Sequence, residues 1–163
     1  MSHPFGRTAT LLAALCLSPL LAAAAAAQTV NGCSFATATD WFDATDEERT
    51  ISFACCQYSP PCVKIEAGDT VKFSGAFTTH PLRAGYTEGG TPAPDPGSPI
   101  AATSAGTQAT FAFAQAGVDP FYCDNHYSFS SMYGTVFVAL FADGFENPAG
   151  LCDWSVVVPQ GCP

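Results

Sequence analysis

The sequence predicts an all-β sandwich, and three observations carry that prediction. Short apolar or alternating runs at residues 51–56, 63–73, 107–113, 118–123 and 134–141 are separated by clusters of turn residues. No stretch shows a long helical period, an internal repeat or a phosphate-binding glycine motif. Finally, 48% hydrophobic residues with only 12% charged ones, 14 glycines and 13 prolines suit a compact, β-rich secreted domain.

Taken in order, residues 1–27 read as a secretory signal peptide. Arg7 supplies the positive start, residues 11–21 a short apolar core, and Ala25-Ala-Ala27 a small-residue cleavage site before Gln28. The apolar run is too short for a membrane span. A periplasmic or secreted location is therefore expected. Cleavage after Ala27 leaves 136 residues, enough to bury a core. They hold four basic residues (Arg49, Lys64, Lys72, Arg83) against all fourteen acidic ones, a formal charge of −10. Such a surface repels nucleic acid and anionic lipid and favours basic partners. The chain is expected to be a monomer.

Residues 28–39 are β-compatible, and the acidic segment 41–49 has room for one helical turn around a solvated Asp46-Glu-Glu48. A strand at 51–56 precedes the breaker Tyr58-Ser-Pro-Pro61. In residues 63–73, Val63 and Ile65 share a face, Gly68-Asp69 turns, and Val71 and Phe73 resume the alternation, which predicts a hairpin. The second strand then runs through 75–79 and delivers His80 at its end. Residues 84–99, with Gly-Gly and four prolines, predict a surface loop. Phe111 and Phe113 point one way in the next strand, Gly117 ends it, and 118–123 and the nearly continuous apolar run 134–141 complete the set. The domain is thus expected over 28–141, with 142–163 a disulfide-tied extension.

Seven cysteines remain after cleavage, an odd number for an oxidising compartment. Setting Cys123 aside leaves Cys33, Cys55, Cys56, Cys62, Cys152 and Cys162, which can close three disulfides in fifteen ways. Adjacent cysteines strain a bridge, so Cys55 and Cys56 are each expected to have a distant partner. Cys152 with Cys162 would tie down the tail.

The candidate site follows from scarcity. After cleavage the chain holds two histidines, His80 and His126, and one methionine, Met132. His126 and Met132 share one short segment with Cys123, between two apolar runs. Two imidazoles, a thiolate and a thioether form the ligand set of a blue-copper centre. Soft thiolate sulfur donates strongly to copper, imidazole suits both oxidation states, and a long axial thioether leaves a geometry between the two preferences. Zinc is disfavoured, because only three ligands are of its usual type. Four protein ligands leave no open position for a substrate, which points to electron transfer rather than catalysis.

Over residues 62–140 the sequence resembles the cupredoxins, small blue copper proteins of the plastocyanin, pseudoazurin and amicyanin type. The resemblance is carried by Glu66-Ala-Gly-Asp-Thr-Val-Lys-Phe73, His80, Phe121-Tyr-Cys-Asp-Asn-His126 and Met132-Tyr-Gly-Thr-Val136. It implies a Greek-key β-sandwich binding one type 1 copper, with His80, Cys123 and His126 as strong ligands and Met132 as the weak axial one. It further implies redox protein partners docking on apolar residues near His126, for which Pro81, Leu82, Pro120 and Phe129 are the candidates. Two departures stand out: five residues separate His126 from Met132, and Pro81 follows His80 where many members carry Asn. The rival functions are a copper-binding module for sequestration or delivery, and a disulfide-stapled structural domain without metal. The Asp143-Gly-Phe-Glu146 and Trp154-Ser155 tail resembles a short terminal element of secreted bacterial proteins.

Overall fold

Alternating side chains along short strands become two stacked sheets. The structure, a computed structural model, describes residues 29–87 and 90–140. The first strands are β1 (Thr39–Asp40), β2 (Thr50–Ala54), β3 (Gln57–Ser59), β4 (Cys62–Glu66) and β5 (Thr70–Ser74). They are followed by β6 (Leu82–Tyr86), β7 (Ala93–Pro94), β8 (Gln108–Ala112) and β9 (Gly117–Cys123). One helical turn, α1 (Tyr127–Ser130), leads to β10 (Tyr133–Ala139). One sheet runs β1-β4-β10-β9-β6-β7 and the other β3-β2-β5-β8. The parallel pairs β4–β10 and β2–β5 join strands that are not consecutive. They are the crossovers of a Greek-key sandwich, the predicted class.

Val63 and Ile65 of β4 and Val71 and Phe73 of β5 are buried, while their neighbours along each strand are half-exposed. From opposite sheets they meet Ile51, Phe77, Phe113, Phe121, Val136 and Val138 in one cluster. Phe73 and Phe121 bridge the layers edge to face, ring centres 5.0 Å apart. Such a contact adds about 1 kcal/mol beyond the area it buries.

The hairpin expected at residues 63–73 is not one, because β4 and β5 lie in different sheets. The edges of β4 are taken by β1 and β10, and those of β5 by β2 and β8. Both strands bury one face in the same core, so the connection has to arch from layer to layer. Gly68 makes the arch at φ 107°, and the Asp69 carboxylate accepts the Glu66 N–H at 3.0 Å. Nor is 84–99 a loop throughout, since Ala84–Tyr86 complete β6 and Ala93–Pro94 form β7 against it. Residues 41–49 form turns without a helix. Buried Arg49 gathers that segment instead, pairing with Asp46 at 2.9 Å and Asp69 at 3.0 Å.

Cys33 and Cys62 form a disulfide that fastens the N-terminal segment to β4. Cys55 and Cys56 form no disulfide among the described residues. They occupy the tip of the β2–β3 hairpin, just beyond the pair Ala54↔Gln57. The signal segment and the Cys152–Cys162 tail lie outside the described residues.

Two small residues hold the N-terminal segment and β10 in place. Asn31, buried and left-handed at φ 47°, donates from Nδ2 to the carbonyls of Gly85, Phe121 and Gly134 at 3.1–3.2 Å. Its Oδ1 accepts from the Thr87 N–H and hydroxyl at 2.9 and 3.1 Å. Gly134 is needed for a different reason: a Cβ there would overlap the Pro61 carbonyl oxygen and sit 2.6 Å from the Phe121 ring. Gly134→Ala is accordingly expected to cost about 3 kcal/mol, at the upper end of overpacking effects. Chemical denaturation measures it, and a loss below about 1 kcal/mol would mean that the segment before β4 yields at Pro61.

Candidate metal centre

The site is built where β9 and β10 separate. Their pairing ends at Tyr122↔Tyr133, and the Cys123 N–H closes the loop base on the Met132 carbonyl at 2.9 Å. The five residues between His126 and Met132 are taken up by α1 and by Ser131 in the left-handed region at φ 54°. The Ser130 N–H and hydroxyl both donate to the His126 carbonyl, at 3.2 and 2.8 Å. The longer spacing is thus a folded turn rather than slack.

His80 comes from the second segment. It does not end the preceding strand as expected, because β5 stops at Ser74 and His80 closes the following loop just before β6. Its N–H donates to the Ala76 carbonyl at 3.0 Å. Two bonds tie the segments together: the Asp124 N–H to the Pro81 carbonyl at 2.9 Å, and Asn125 Nδ2 to the Thr79 carbonyl at 3.1 Å. Asn125 therefore supplies the brace that Pro81 cannot. Sequence reasoning missed it, although it lies between the two predicted ligands of the loop.

Three predicted residues converge. The Nδ1 atoms of His80 and His126 are 3.1 Å apart. Cys123 Sγ lies 3.2 Å from the His126 nitrogen and 4.0 Å from that of His80. A point equidistant from the three donors stands about 2 Å from each, close to the bond lengths of a first-row ion to imidazole and thiolate (about 2.0–2.3 Å). The donor triangle therefore fits a metal ion. His80, Cys123 and His126 are the group of metal-binding type found among the described residues. Met132, fully buried, shares the core cluster with Cys123 and hydrogen-bonds to it through the backbone.

Burial, together with the neighbouring His126, holds the His80 imidazole below its usual pKa and favours the neutral, ligating ring. Burial pushes the Cys123 thiol up, while the backbone N–H groups of Asn125 and His126 oppose the rise. A bound cation would displace the thiol proton and favour the thiolate.

Aromatic rings wall the site. Phe53 meets the His80 ring edge-on at 5.9 Å, and Phe129 meets His126 at 5.2 Å. Phe129 is 72% exposed, as a docking residue must be. Leu82 and Pro120 are buried and fall out of the expected docking set. Leu82 packs in the core, and Pro120 sits inside β9 just beyond Phe121, where pairing with β6 stops. Tyr58 is also buried, and its hydroxyl has no hydrogen-bond partner among the described residues. Tyr58→Phe should therefore stabilise the protein by about 1 kcal/mol. A lower melting temperature in the variant would show that the hydroxyl has a bonding role.

Two packed β-sheets thus carry a His-Cys-His cluster of metal-binding type. No family model and no curated protein matches the chain. Among solved structures it is similar to an oxidized amicyanin mutant, at 19% identity and TM-score 0.38, over 55% of this chain and 79% of that one. A Cu(I) form of another amicyanin mutant gives 20% and 0.37 over the same shares. A third, in the reduced state, gives 18% and 0.37 over 68% and 90%. Scores this low assign neither family nor ligand, so the chain's own residues have to carry any functional reading. Among the described residues no helix is long and apolar enough to cross a membrane.

Proposed function

We propose that this chain is a type 1 copper protein that carries single electrons between redox partners outside the cytoplasm. The observation behind it is the convergence of two imidazole nitrogens and one buried thiol at 3.1, 3.2 and 4.0 Å. Their spacing suits metal–ligand bonds, and the donor set is the soft one that selects copper. His80, Cys123 and His126 would hold the ion strongly, and buried Met132 would be the axial donor. Bound copper would supply a one-electron couple. The protein's part is to keep the donors fixed through the cycle. Hydrogen bonds at Ala76, Thr79, Pro81 and Met132 do so in the connections between strands, which keeps rearrangement small.

His126, half-buried beside exposed Phe129, is the edge at which a partner would dock. The formal charge of the expected mature chain, −10, favours a basic partner.

The test is a visible absorption and paramagnetic resonance spectrum of the Cu(II)-loaded protein. An intense band at the orange-red end with a narrow copper hyperfine splitting supports the reading. A pale protein with a broad splitting overturns it. Met132→Leu should keep the metal and shift the potential. An unchanged potential and spectrum would remove Met132 from the axial position.

A further inference from the structure

The tip of the β2–β3 hairpin carries two adjacent thiols. Cys55 and Cys56 are the two residues between the paired Ala54 and Gln57, and both are left-handed, at φ 43° and 74°. A two-residue turn with two positive φ angles favours Asn-Gly, because residues with a Cβ are strained there. Two cysteines are therefore a poor choice for the turn itself. Cys55 is exposed and Cys56 half-exposed, and neither is in a disulfide among the described residues.

This tip lies beside the candidate metal centre. Phe53, two residues before Cys55, sets its ring against His80 at 5.9 Å. Burial pushes the Cys56 thiol up, the adjacent Cys55 thiol adds to the rise, and the Ser130 side chain opposes it. Ser130 in turn donates to the His126 carbonyl at 2.8 Å. The hairpin tip thus lies near two residues, Phe53 and Ser130, that touch the two histidines of the buried cluster.

We propose that Cys55 and Cys56 form a second, solvent-facing site for monovalent copper, from which the ion passes to the His80–Cys123–His126 cluster. Two neighbouring thiolates are the soft donor pair that selects Cu(I). Binding releases one proton from each thiol to solvent and moves no electron. An open two-sulfur site exchanges its ion readily, whereas the cluster surrounds it with buried donors. The relay rests on the copper reading above, but the Cu(I) binding does not.

The first test is thiol labelling of the metal-free mature protein. Labelling of Cys55 and Cys56 without reduction is expected, and labelling only after reduction would overturn the proposal. Next, Cys123→Ser is titrated with Cu(I) alone, anaerobically, against a chromogenic chelator. It should retain one ion, and adding Cys55→Asn and Cys56→Gly, which give the turn its favoured residues, should abolish that binding. Equal binding in both backgrounds would overturn the site.

In the chain with Cys123 intact, the Asn-Gly pair should slow loading from a Cu(I)–chelator complex by on the order of tenfold and leave the final spectrum unchanged. An unchanged loading rate would overturn the relay. A wild-type protein that stays colourless with Cu(II) would fail the reading of the buried centre alone.

Discussion

Cys123→Ser is expected to abolish the intense visible absorption of the copper-loaded protein while leaving the sandwich folded. The band requires a thiolate donating to copper, and a serine hydroxyl does not ionise under the same conditions. Loss of one of three strong donors should weaken copper binding by more than about 100-fold, beyond what losing a supporting partner alone costs. The fold should survive because serine nearly matches cysteine in size. The cost should be about 1–2 kcal/mol for the buried polar group. Absorption, metal content and circular dichroism together decide it. A surviving intense band would take Cys123 out of the site.

The second large effect lies away from the metal. Asn31→Ala should cost about 4 kcal/mol, from unmet bonds at three carbonyls and one N–H that water cannot easily reach. One side chain joins Gly85 next to β7, Phe121 on β9, Gly134 on β10 and Thr87. Asn31→Asp should be no better, because a carboxylate turned toward three carbonyls repels where the amide donated. Urea denaturation of the two variants tests this. A loss below about 1 kcal/mol for both would show that water replaces the amide.

The candidate ligands stood out in the sequence because they are scarce. With two histidines and one methionine expected in the mature chain, their placement around Cys123 leaves few other readings. β9 and β10 were legible as apolar runs because both faces are covered. The arch at Gly68-Asp69 was not, because two alternating strands around a short turn look alike whether they pair or cross between layers. Only the partners at their edges decide, and those lie far away in sequence. Asn31 gave no signal either, being one polar residue in a short segment whose side-chain bonds are all long-range. Leu82 and Pro120 were misplaced because nearness to His126 in the fold does not mean nearness to solvent.

The bond from the Cys123 N–H to the Met132 carbonyl, with Tyr122 facing Tyr133 behind it, seals the ligand loop off from the sheets. The segment inside that seal behaves as an exchangeable cassette. Residues added or removed between His126 and Met132 alter only a loop closure, whose entropy changes slowly with length. The strands below keep their register. Evolution or design can therefore retune the candidate site without renegotiating the stability of the sandwich.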